Sequence, residues 1–334
     1  MASFKAAVAV LLLGCVLSAS AAGLIATKNV TVYDFCDITP ADVAPPLTKD
    51  MDFVGSVKFV SLGDADIAYR RFGNSSTGRP PLVLVAGLGE TSAIWPASFL
   101  EYLAEQQEVI MFDNRGIGQS TDLTEGYINV TSMALDTLAF VRGLDLDVKV
   151  NLMGWGMGGM IATTCAALHG KYYNKVIVLS GTAGSLHSRH ITPTANRILM
   201  SDPEPTELEK LWLLFPLEHT SAAAAACAYF RNPEPSVVDF FNYTTFERQA
   251  RAFSEFFFDV DEVYEALPKI KNDLLLVGGE DDVMIPSQGL RVIARRTTTP
   301  WLVVLREAGN AAWIQYLPSF VSMLDLFLDA YPDM

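Results

Sequence analysis

The residues with the clearest chemical spacing in this chain are three glycines, Gly154, Gly156 and Gly158, which follow an apolar segment that begins at Val148. The segment predicts a buried β-strand, and the apolar residues after Gly158 predict a helix. A tight turn from strand to helix is where a G-x-S-x-G pattern exposes a nucleophilic serine, because small residues let backbone meet backbone. Gly156 stands at the serine position. Glycine-rich turns of this kind also bind phosphates, so the turn alone does not define a function.

The composition of the whole chain limits the functions that such a turn can have. With 334 residues, of which 50% are hydrophobic, the chain can bury the core of one large domain or two smaller ones. Its net charge of -14 opposes a nucleic-acid partner, because phosphate binding depends on clusters of Lys and Arg. We expect no cofactor and no metal, and we expect small molecules or proteins as partners.

Residues 1–22 predict a signal peptide. Lys5 precedes an apolar run that ends at Leu17, and small residues up to Ala21 offer a cleavage site. Because the run is too short to span a bilayer, we expect no membrane anchor in the mature chain, and a location outside the cell or in the secretory-pathway lumen. Four N-x-S/T sequons would then be glycosylation acceptors. They lie at Asn29, Asn74, Asn129 and Asn242.

Removal of the signal peptide would leave three cysteines, an odd number that permits one disulfide at most. Cys165 falls in the helix predicted after the glycine turn, where a small buried residue is expected. Cys36 and Cys227 are therefore the pair to test.

Apolar strands alternate with helices over most of the remaining chain. Residues 56–72 predict a hairpin, and residues 312–330 predict one final helix. The strands between them are continuous apolar runs, which are typical of a parallel sheet buried on both faces. These runs are residues 81–85, 109–112, 148–153, 175–179, 274–277 and 301–305. We predict an α/β fold with a mostly parallel central sheet flanked by helices.

The alternation stops at residues 185–267, where only helical stretches broken by prolines occur. We interpret this segment as a helical cap inserted into the sheet domain. Residues 23–55 then form an N-terminal arm, and residues 56–184 and 268–334 form the two parts of the sheet domain. Aromatic residues of the cap can wall an apolar pocket or, as we favour, pack the cap on the sheet. They are Trp212, Phe215, Phe253, Phe256, Phe257 and Phe258.

These motifs, in their order along residues 56–329, resemble the cap-containing type of the α/β-hydrolase fold family. Residues 86–89 are similar to its H-G-x-G oxyanion loop, with alanine in place of the histidine. Residues 113–120 match its D-x-R-G-x-G-x-S turn, and residues 279–286 match its G-x-x-D-x-x-x-P segment. The resemblance implies that Asp282 holds the position of the catalytic acid.

The same resemblance implies the remaining parts of the site. Asn310 falls where the family has its catalytic histidine, and Gly156 falls where it has the nucleophile. The backbone N–H groups of Leu88 and Met157 correspond to the oxyanion donors.

The family's chemistry needs a hydroxyl to attack, an imidazole to carry its proton and a carboxylate to orient the imidazole. Gly156 offers no nucleophile, and Asn310 has no titratable nitrogen. Loss of either central group costs about a million-fold in turnover, so the chain is interpreted as a catalytically defective member. Asp282 could activate a water, or, as we favour, accept a hydrogen bond from the Asn310 amide.

The chain has four histidines that could supply the missing base. His187 and His190 follow a predicted strand on the side where open parallel sheets bind ligands. His169 lies at the far end of the helix after the turn, and His219 lies inside the cap. We expect these histidines to be non-catalytic, since histidines at cap boundaries are usually solvated.

Two functions follow from these residues. The first, which we favour, is a secreted, non-catalytic pseudo-hydrolase that binds a small apolar ligand or a protein partner in the former active-site cleft. The second is a hydrolase that works without the usual serine, either through water activated by Asp282 or through His187 or His190 entering the site. One fold hosts many functions, so the fold cannot decide between them.

Overall fold

The computed structural model describes residues 36–37, 51–124, 126–184, 187–188, 190–199, 206–231, 243–259 and 261–330. The predicted signal peptide lies outside the described residues, as do most of the N-terminal arm and the sequons at Asn29 and Asn242. The location of the protein therefore stays a prediction. In the described ranges, no helix is long and apolar enough to cross a bilayer.

The described residues contain one sheet of eight strands. Its strands are β1 (Lys58–Ser61), β2 (Asp66–Gly73), β3 (Leu82–Val85), β4 (Glu108–Phe112), β5 (Val150–Trp155), β6 (Tyr173–Leu179), β7 (Leu274–Gly279) and β8 (Pro300–Leu305). Their order in the sheet is β1-β2-β4-β3-β5-β6-β7-β8. β2 pairs antiparallel with β1 and β4, and all other neighbours are parallel. The predicted mostly parallel sheet is confirmed.

Helices cover both faces of this sheet. They are α1 (Ala97–Gln106), α2 (Val130–Gly143), α3 (Met157–His169), α4 (Pro193–Leu199), α5 (Glu207–Leu214), α6 (Thr220–Arg231), α7 (Tyr243–Asp259), α8 (Asp261–Ala266), α9 (Gln288–Arg296), α10 (Ala312–Gln315) and α11 (Leu317–Asp329). Successive side chains of a strand point to opposite faces. In β3, Val83 and Val85 accordingly join one apolar cluster, while Leu82 and Leu84 join the other.

The end of the chain differs from the prediction of one helix over residues 312–330. Two helices, α10 and α11, meet at Tyr316, whose φ of -115° and ψ of 34° are not helical. Pro318 lies in the first turn of α11. Its ring blocks a helix that would continue from α10, but it is tolerated where a new helix begins.

Helices α4 to α8 lie between β6 and β7 in the chain, within the segment predicted as a cap, and we refer to them as the cap. Phe253, Phe256 and Phe257 of α7 are buried in the apolar cluster that includes the sheet residues. Phe258 is 65% exposed. The aromatic residues of α7 therefore pack the cap on the sheet domain, as favoured from the sequence.

A disulfide joins Cys36 of the N-terminal arm to Cys227 of α6 in the cap. Cys165 is free and buried. The pair that the sequence left to be tested is therefore joined, and the expected burial of Cys165 is confirmed. The disulfide closes a loop of 191 residues and so ties the arm to the cap.

Candidate active site

The glycine turn lies between β5 and α3, and Gly156 occupies it with φ 61° and ψ -120°. A positive φ is unfavourable for residues with a side chain, so this backbone conformation favours glycine at position 156. A Cβ placed on Gly158 would overlap the backbone oxygen of Val85 at the end of β3. Among the described residues, a Cβ on Gly156 would in contrast meet only Oδ1 of Asn310, at 3.9 Å. The turn thus has the close backbone contacts of a nucleophile elbow and open space at its central position.

Asp282 and Asn310 meet beside this turn. The Asn310 Nδ2 donates a hydrogen bond to Oδ2 of Asp282 over 3.0 Å. This contact was the favoured interpretation of the retained acid, and it is confirmed. The other carboxyl oxygen, Oδ1, accepts from the backbone N–H groups of Met284 (2.9 Å) and Ile285 (2.8 Å). Asp282 and Asn310 are 5% and 2% exposed, so the pair is shielded from solvent.

The backbone of Asn310 is fixed to the strand ends that surround the turn. Its carbonyl oxygen accepts from Nε1 of Trp155 over 3.0 Å and from Oγ of Ser180 over 2.9 Å. Trp155 directly precedes Gly156, and Ser180 directly follows β6. Two donors from neighbouring strand ends therefore hold the loop after β8 in one position relative to the turn.

The Asn310 amide can have only one orientation in this network. A carboxylate accepts hydrogen bonds, so the group facing Asp282 must be the NH₂. The amide oxygen is then turned toward Gly156, in agreement with the distance to its Cβ position. Asn310 thus presents an acceptor to the space above the turn and a donor to the acid.

The ionisation of Asp282 is strongly perturbed. Burial raises the pKa of its carboxyl to about 7, although the hydrogen bonds from Ile285, Met284 and Asn310 act in the opposite direction. A carboxyl that titrates near neutral pH can both accept and release a proton under physiological conditions.

This shift predicts a pH-dependent stability. Because the pKa of Asp282 is about 7 in the folded chain and near 3.8 when unfolded, the folded state binds more protons between these values. The free energy of unfolding should therefore fall by roughly 3 kcal/mol from about pH 5 to about pH 8 through this group. Chemical denaturation of the wild type and of Asp282→Asn at both pH values measures it. The variant should lose this component, whereas Asp147→Asn, an exposed control, should retain it. Equal pH dependence in all three proteins would contradict the shift.

The loop after β3 lies on the other side of the turn. Gly87 N–H donates to Oε2 of Glu90 over 3.0 Å, and Gly89 N–H donates to Oε1 of Gln249 over 2.8 Å. Within the described part of the chain, the backbone N–H groups of Leu88 and Met157 have no recorded hydrogen-bond partner. They are thus available for the oxyanion role that the resemblance assigned to them.

Two residues of this region were missed from the sequence. Glu90 directly follows the oxyanion loop in the sequence, and this position could have identified it as a residue of the site. Gln249 is fully buried on α7 of the cap. No local pattern could have found Gln249, because 160 residues separate it from its partner Gly89.

The D-x-R-G-x-G-x-S turn has a structural role. Oδ1 and Oδ2 of Asp113 accept from the backbone N–H groups of Ser92 (2.7 Å) and Gln119 (3.0 Å). The hydroxyl of Ser120 donates to the backbone oxygen of Asp113. These contacts join the loops after β3 and β4 and so support the oxyanion loop.

Three of the histidines contact residues other than Asp282 and Asn310. The ring of His187 stacks on Tyr264 with 4.1 Å between centroids, and the ring of His190 stacks on Phe258 with 4.7 Å. His219 Nε2 lies 3.2 Å from Oδ2 of Asp281, so the cap contacts the residue before Asp282.

The described residues contain no cluster of three or more His, Cys, Asp or Glu side chains that could hold a metal ion.

Comparison with known proteins agrees with this architecture. The sequence pattern of the alpha/beta hydrolase fold family matches residues 80–316, which are most of the chain. The chain belongs to the α/β-hydrolase fold family. A relative in Pseudomonas syringae pv. syringae, named "Putative carbamate hydrolase RutD", is 26% identical over 255 residues, which cover 76% of this chain and 95% of that protein. A protein of the same name in Pseudomonas savastanoi pv. phaseolicola is 27% identical and covers 75% and 94%.

Solved structures show the same fold. An alpha/beta hydrolase fold protein from Chitinophaga pinensis superposes with a TM-score of 0.69 at 20% identity, covering 84% of this chain and 99% of that one. The enol-lactonase from Burkholderia xenovorans superposes with a TM-score of 0.64 at 22% identity, covering 81% and 99%. At these identities the likeness concerns the fold alone.

The named relatives correct the function that we favoured from the sequence. They are called hydrolases, and this opposes the interpretation of the chain as a secreted, glycosylated pseudo-hydrolase that binds without turnover. Our inference was wrong because it equated loss of the serine and histidine groups with loss of hydrolysis. The alternative, a hydrolase that works without the usual serine, agrees better with the relatives.

Proposed function

We propose that this protein is a hydrolase that uses water, and not a serine, as its nucleophile, with Asp282 as the base that finally receives the proton. One observation carries this proposal. The amide of Asn310 links the buried carboxyl of Asp282 to the open space above Gly156. The position that a serine hydroxyl would occupy is therefore connected to a proton acceptor.

The nucleophilic water would lie where the side chain of residue 156 would project. Within the part of the chain that the structure describes, a Cβ at Gly156 would have only one neighbour within 4 Å, so the glycine leaves room for a water-sized oxygen. The water would donate a hydrogen bond to Oδ1 of Asn310, the acceptor that faces this space. Glycine at position 156 is then a requirement of the mechanism, because a larger side chain would displace the water.

The proton can reach Asp282 in one concerted transfer through the amide. As the water oxygen bonds to the substrate carbonyl carbon, its proton passes to Oδ1 of Asn310, and a proton of Nδ2 passes to Oδ2 of Asp282. Asn310 is then an imidic acid, and Asp282 is neutral. The amide is restored after the products leave, when the proton of Asp282 returns to Nδ2 and the proton of Oδ1 passes to a solvent water. No net proton is gained or lost by the protein.

Charge on the substrate oxygen would be stabilised by backbone donors. The N–H groups of Leu88 and Met157 face no recorded partner in the described residues, and Met157 is the first residue of α3. A helix N-terminus carries a partial positive charge, which favours a developing oxyanion.

The names of the relatives suggest a carbamate as the substrate class to test first. Water attack on a carbamate ester breaks the bond to its alcohol and yields a carbamic acid, which loses carbon dioxide. Dimethylcarbamates are suited to the test, because they lack the N–H that would allow spontaneous elimination.

The test is turnover of para-nitrophenyl N,N-dimethylcarbamate by the purified protein. We expect nitrophenol release in amounts above one equivalent, with no dimethylcarbamoyl adduct in the intact mass of the protein. A serine-reactive phosphonate should leave the protein unlabelled. A covalent adduct, or release no faster than in buffer, would overturn the proposed function.

A further inference from the structure

Glu90 brings a second carboxyl to the turn that carries Gly156. Its Oε2 accepts the Gly87 N–H over 3.0 Å, so the side chain folds back over the oxyanion loop. A Cβ placed on Gly87 would overlap this oxygen and would lie 3.2 Å from the backbone oxygen of Trp155. Trp155 directly precedes Gly156. The carboxyl of Glu90 and the backbone oxygen of Trp155 therefore flank the same position at Gly87.

The order of strands places this carboxyl opposite Asp282. β5, which carries the turn, lies between β3 and β6, and β7 follows β6. Glu90 comes from the loop after β3, whereas Asp282 and Asn310 come from the loops after β7 and β8. A substrate carbonyl above Gly156 would have one carboxyl on each side.

The reaction needs a proton on the side where the leaving group departs. An alkoxide or an amide anion is a poor leaving group and requires protonation, whereas a nitrophenolate departs as a stable anion. In the triad mechanism the histidine supplies this proton. Asn310 has no titratable proton, and in the proposed function its relay works in the direction of Asp282.

We propose that Glu90 is the general acid that protonates the leaving group, and that the site is therefore built for neutral acyl compounds with an alcohol or amine leaving group. This inference rests on the proposed function. In the step, the bond from the carbonyl carbon to the leaving oxygen or nitrogen breaks, and the proton of Glu90 moves to that atom. Glu90 becomes a carboxylate and is reprotonated by solvent as the products leave.

The environment of Glu90 supports this role. Burial raises the pKa of its carboxyl to about 7, opposed only by the hydrogen bond from Gly87, so the group holds a proton over much of the neutral range. Phe246 and Gln249 of the cap, which face the loop at Gly89, carry no charge. The neighbouring loop carries two charged groups: Asp113, whose oxygens are bound by backbone N–H groups, and Arg115, which pairs with carboxylates of Asp64, Asp122 and Asp136.

The cap closes this side of the site. A Cβ on Gly89 would lie 2.6 Å from the ring of Phe246, and Oε1 of Gln249 accepts a hydrogen bond from the Gly89 N–H. The ring and the amide of α7 thus cover the loop that carries Glu90. Glu90 itself is half-buried, so partial desolvation favours the neutral acid while solvent can still reprotonate it.

Two substrates that differ only in the leaving group test the proposal. Para-nitrophenyl N,N-dimethylcarbamate needs no proton at its leaving group, whereas ethyl N,N-dimethylcarbamate does. For Glu90→Gln we expect kcat for the ethyl ester to fall by about 10² to 10⁴-fold, with the nitrophenyl ester within about threefold of wild type. Glu105→Gln, the same change at an exposed position of α1, should leave both rates unchanged.

The pH profile gives an independent measurement on the unmodified protein. A general acid must be protonated, so kcat/KM for the ethyl ester should fall as the pH rises past about 7, the pKa of Glu90. The nitrophenyl ester should not show this alkaline fall.

The outcomes separate this inference from the proposed function. If wild type hydrolyses the nitrophenyl ester and Glu90→Gln retains the ethyl ester rate, Glu90 is not the acid, although the water mechanism stands. Equal losses on both esters in a folded Glu90→Gln protein also overturn it, because they indicate a structural role. If wild type hydrolyses neither ester, the proposed function itself fails.

Discussion

Asp282→Asn is expected to lower kcat for para-nitrophenyl N,N-dimethylcarbamate by about 10³-fold, with KM nearly unchanged. The amide oxygen of the new side chain can still accept from the backbone N–H groups of Met284 and Ile285, so the loop should keep its shape. The variant loses the carboxylate that takes the proton, and its NH₂ in place of Oδ2 would face the NH₂ of Asn310, so the Asn310 amide must turn over and the relay is broken. An effect on kcat rather than on KM follows because Asp282 acts in the chemical step and does not face the substrate directly.

The measurement is steady-state kinetics of the wild type, Asp282→Asn and Asp147→Asn, with thermal unfolding of each protein. Asp147→Asn makes the same chemical change at an exposed position and should retain full activity. If Asp282→Asn folds and keeps its turnover, Asp282 cannot be the base, and the water mechanism drawn through Asn310 is wrong.

The double variant Gly156→Ser with Asn310→His is expected to change the mechanism from water attack to covalent catalysis. Its hydrolysis of para-nitrophenyl acetate should exceed that of either single variant by at least about 10³-fold, because serine and histidine act as a unit. It should also become labelled by a serine-reactive phosphonate. These are large effects for two substitutions. They require that Asp282 and the backbone around residues 156 and 310 stay in their present positions.

Three observations support this expectation. A side chain at position 156 would point at residue 310, because Oδ1 of Asn310 is the one described atom within 4 Å of its Cβ position. Asp282 already accepts a hydrogen bond from residue 310 and can orient an imidazole in the same way. The bonds from Trp155 and Ser180 go to the backbone oxygen of residue 310, so they survive the substitution.

The double variant is expected to be less stable than the wild type because of the backbone conformation at position 156. A serine at φ 61° adopts the left-handed region, which costs of order 1 to 3 kcal/mol for a residue with a side chain. Mass spectrometry after phosphonate treatment, with each single variant as control, identifies the labelled residue. A folded double variant without labelling would mean that the introduced groups do not reach each other, which would contradict the distances on which the proposed water site also depends.

Much of the fold and part of the site could be predicted from sequence alone. Continuous apolar runs identified the parallel strands, because a strand covered on both faces has no polar side. The glycine spacing identified the turn at Gly156, and the segment around Asp282 identified its pairing with Asn310. The strands and the turn are local features, since they depend on residues that are close in the chain, whereas the pairing of Asp282 with Asn310 came from the resemblance, in which these motifs occur in a set order. The break at Pro318 was also local, and we overlooked it.

Other parts of the site were decided only by the tertiary structure. The orientation of the Asn310 amide follows from its contact with Asp282, and the position of its backbone follows from the bonds of Trp155 and Ser180 to its carbonyl oxygen. The placement of Glu90 opposite Asp282 follows from the order of the strands, and the cover by Gln249 follows from the packing of the cap. Burial, which raises the pKa of both carboxyls to about 7, is a property of the packed chain as a whole. The sequence determined which chemical groups are present, but proximity and desolvation, which decide what those groups can do, arise only when distant segments pack together.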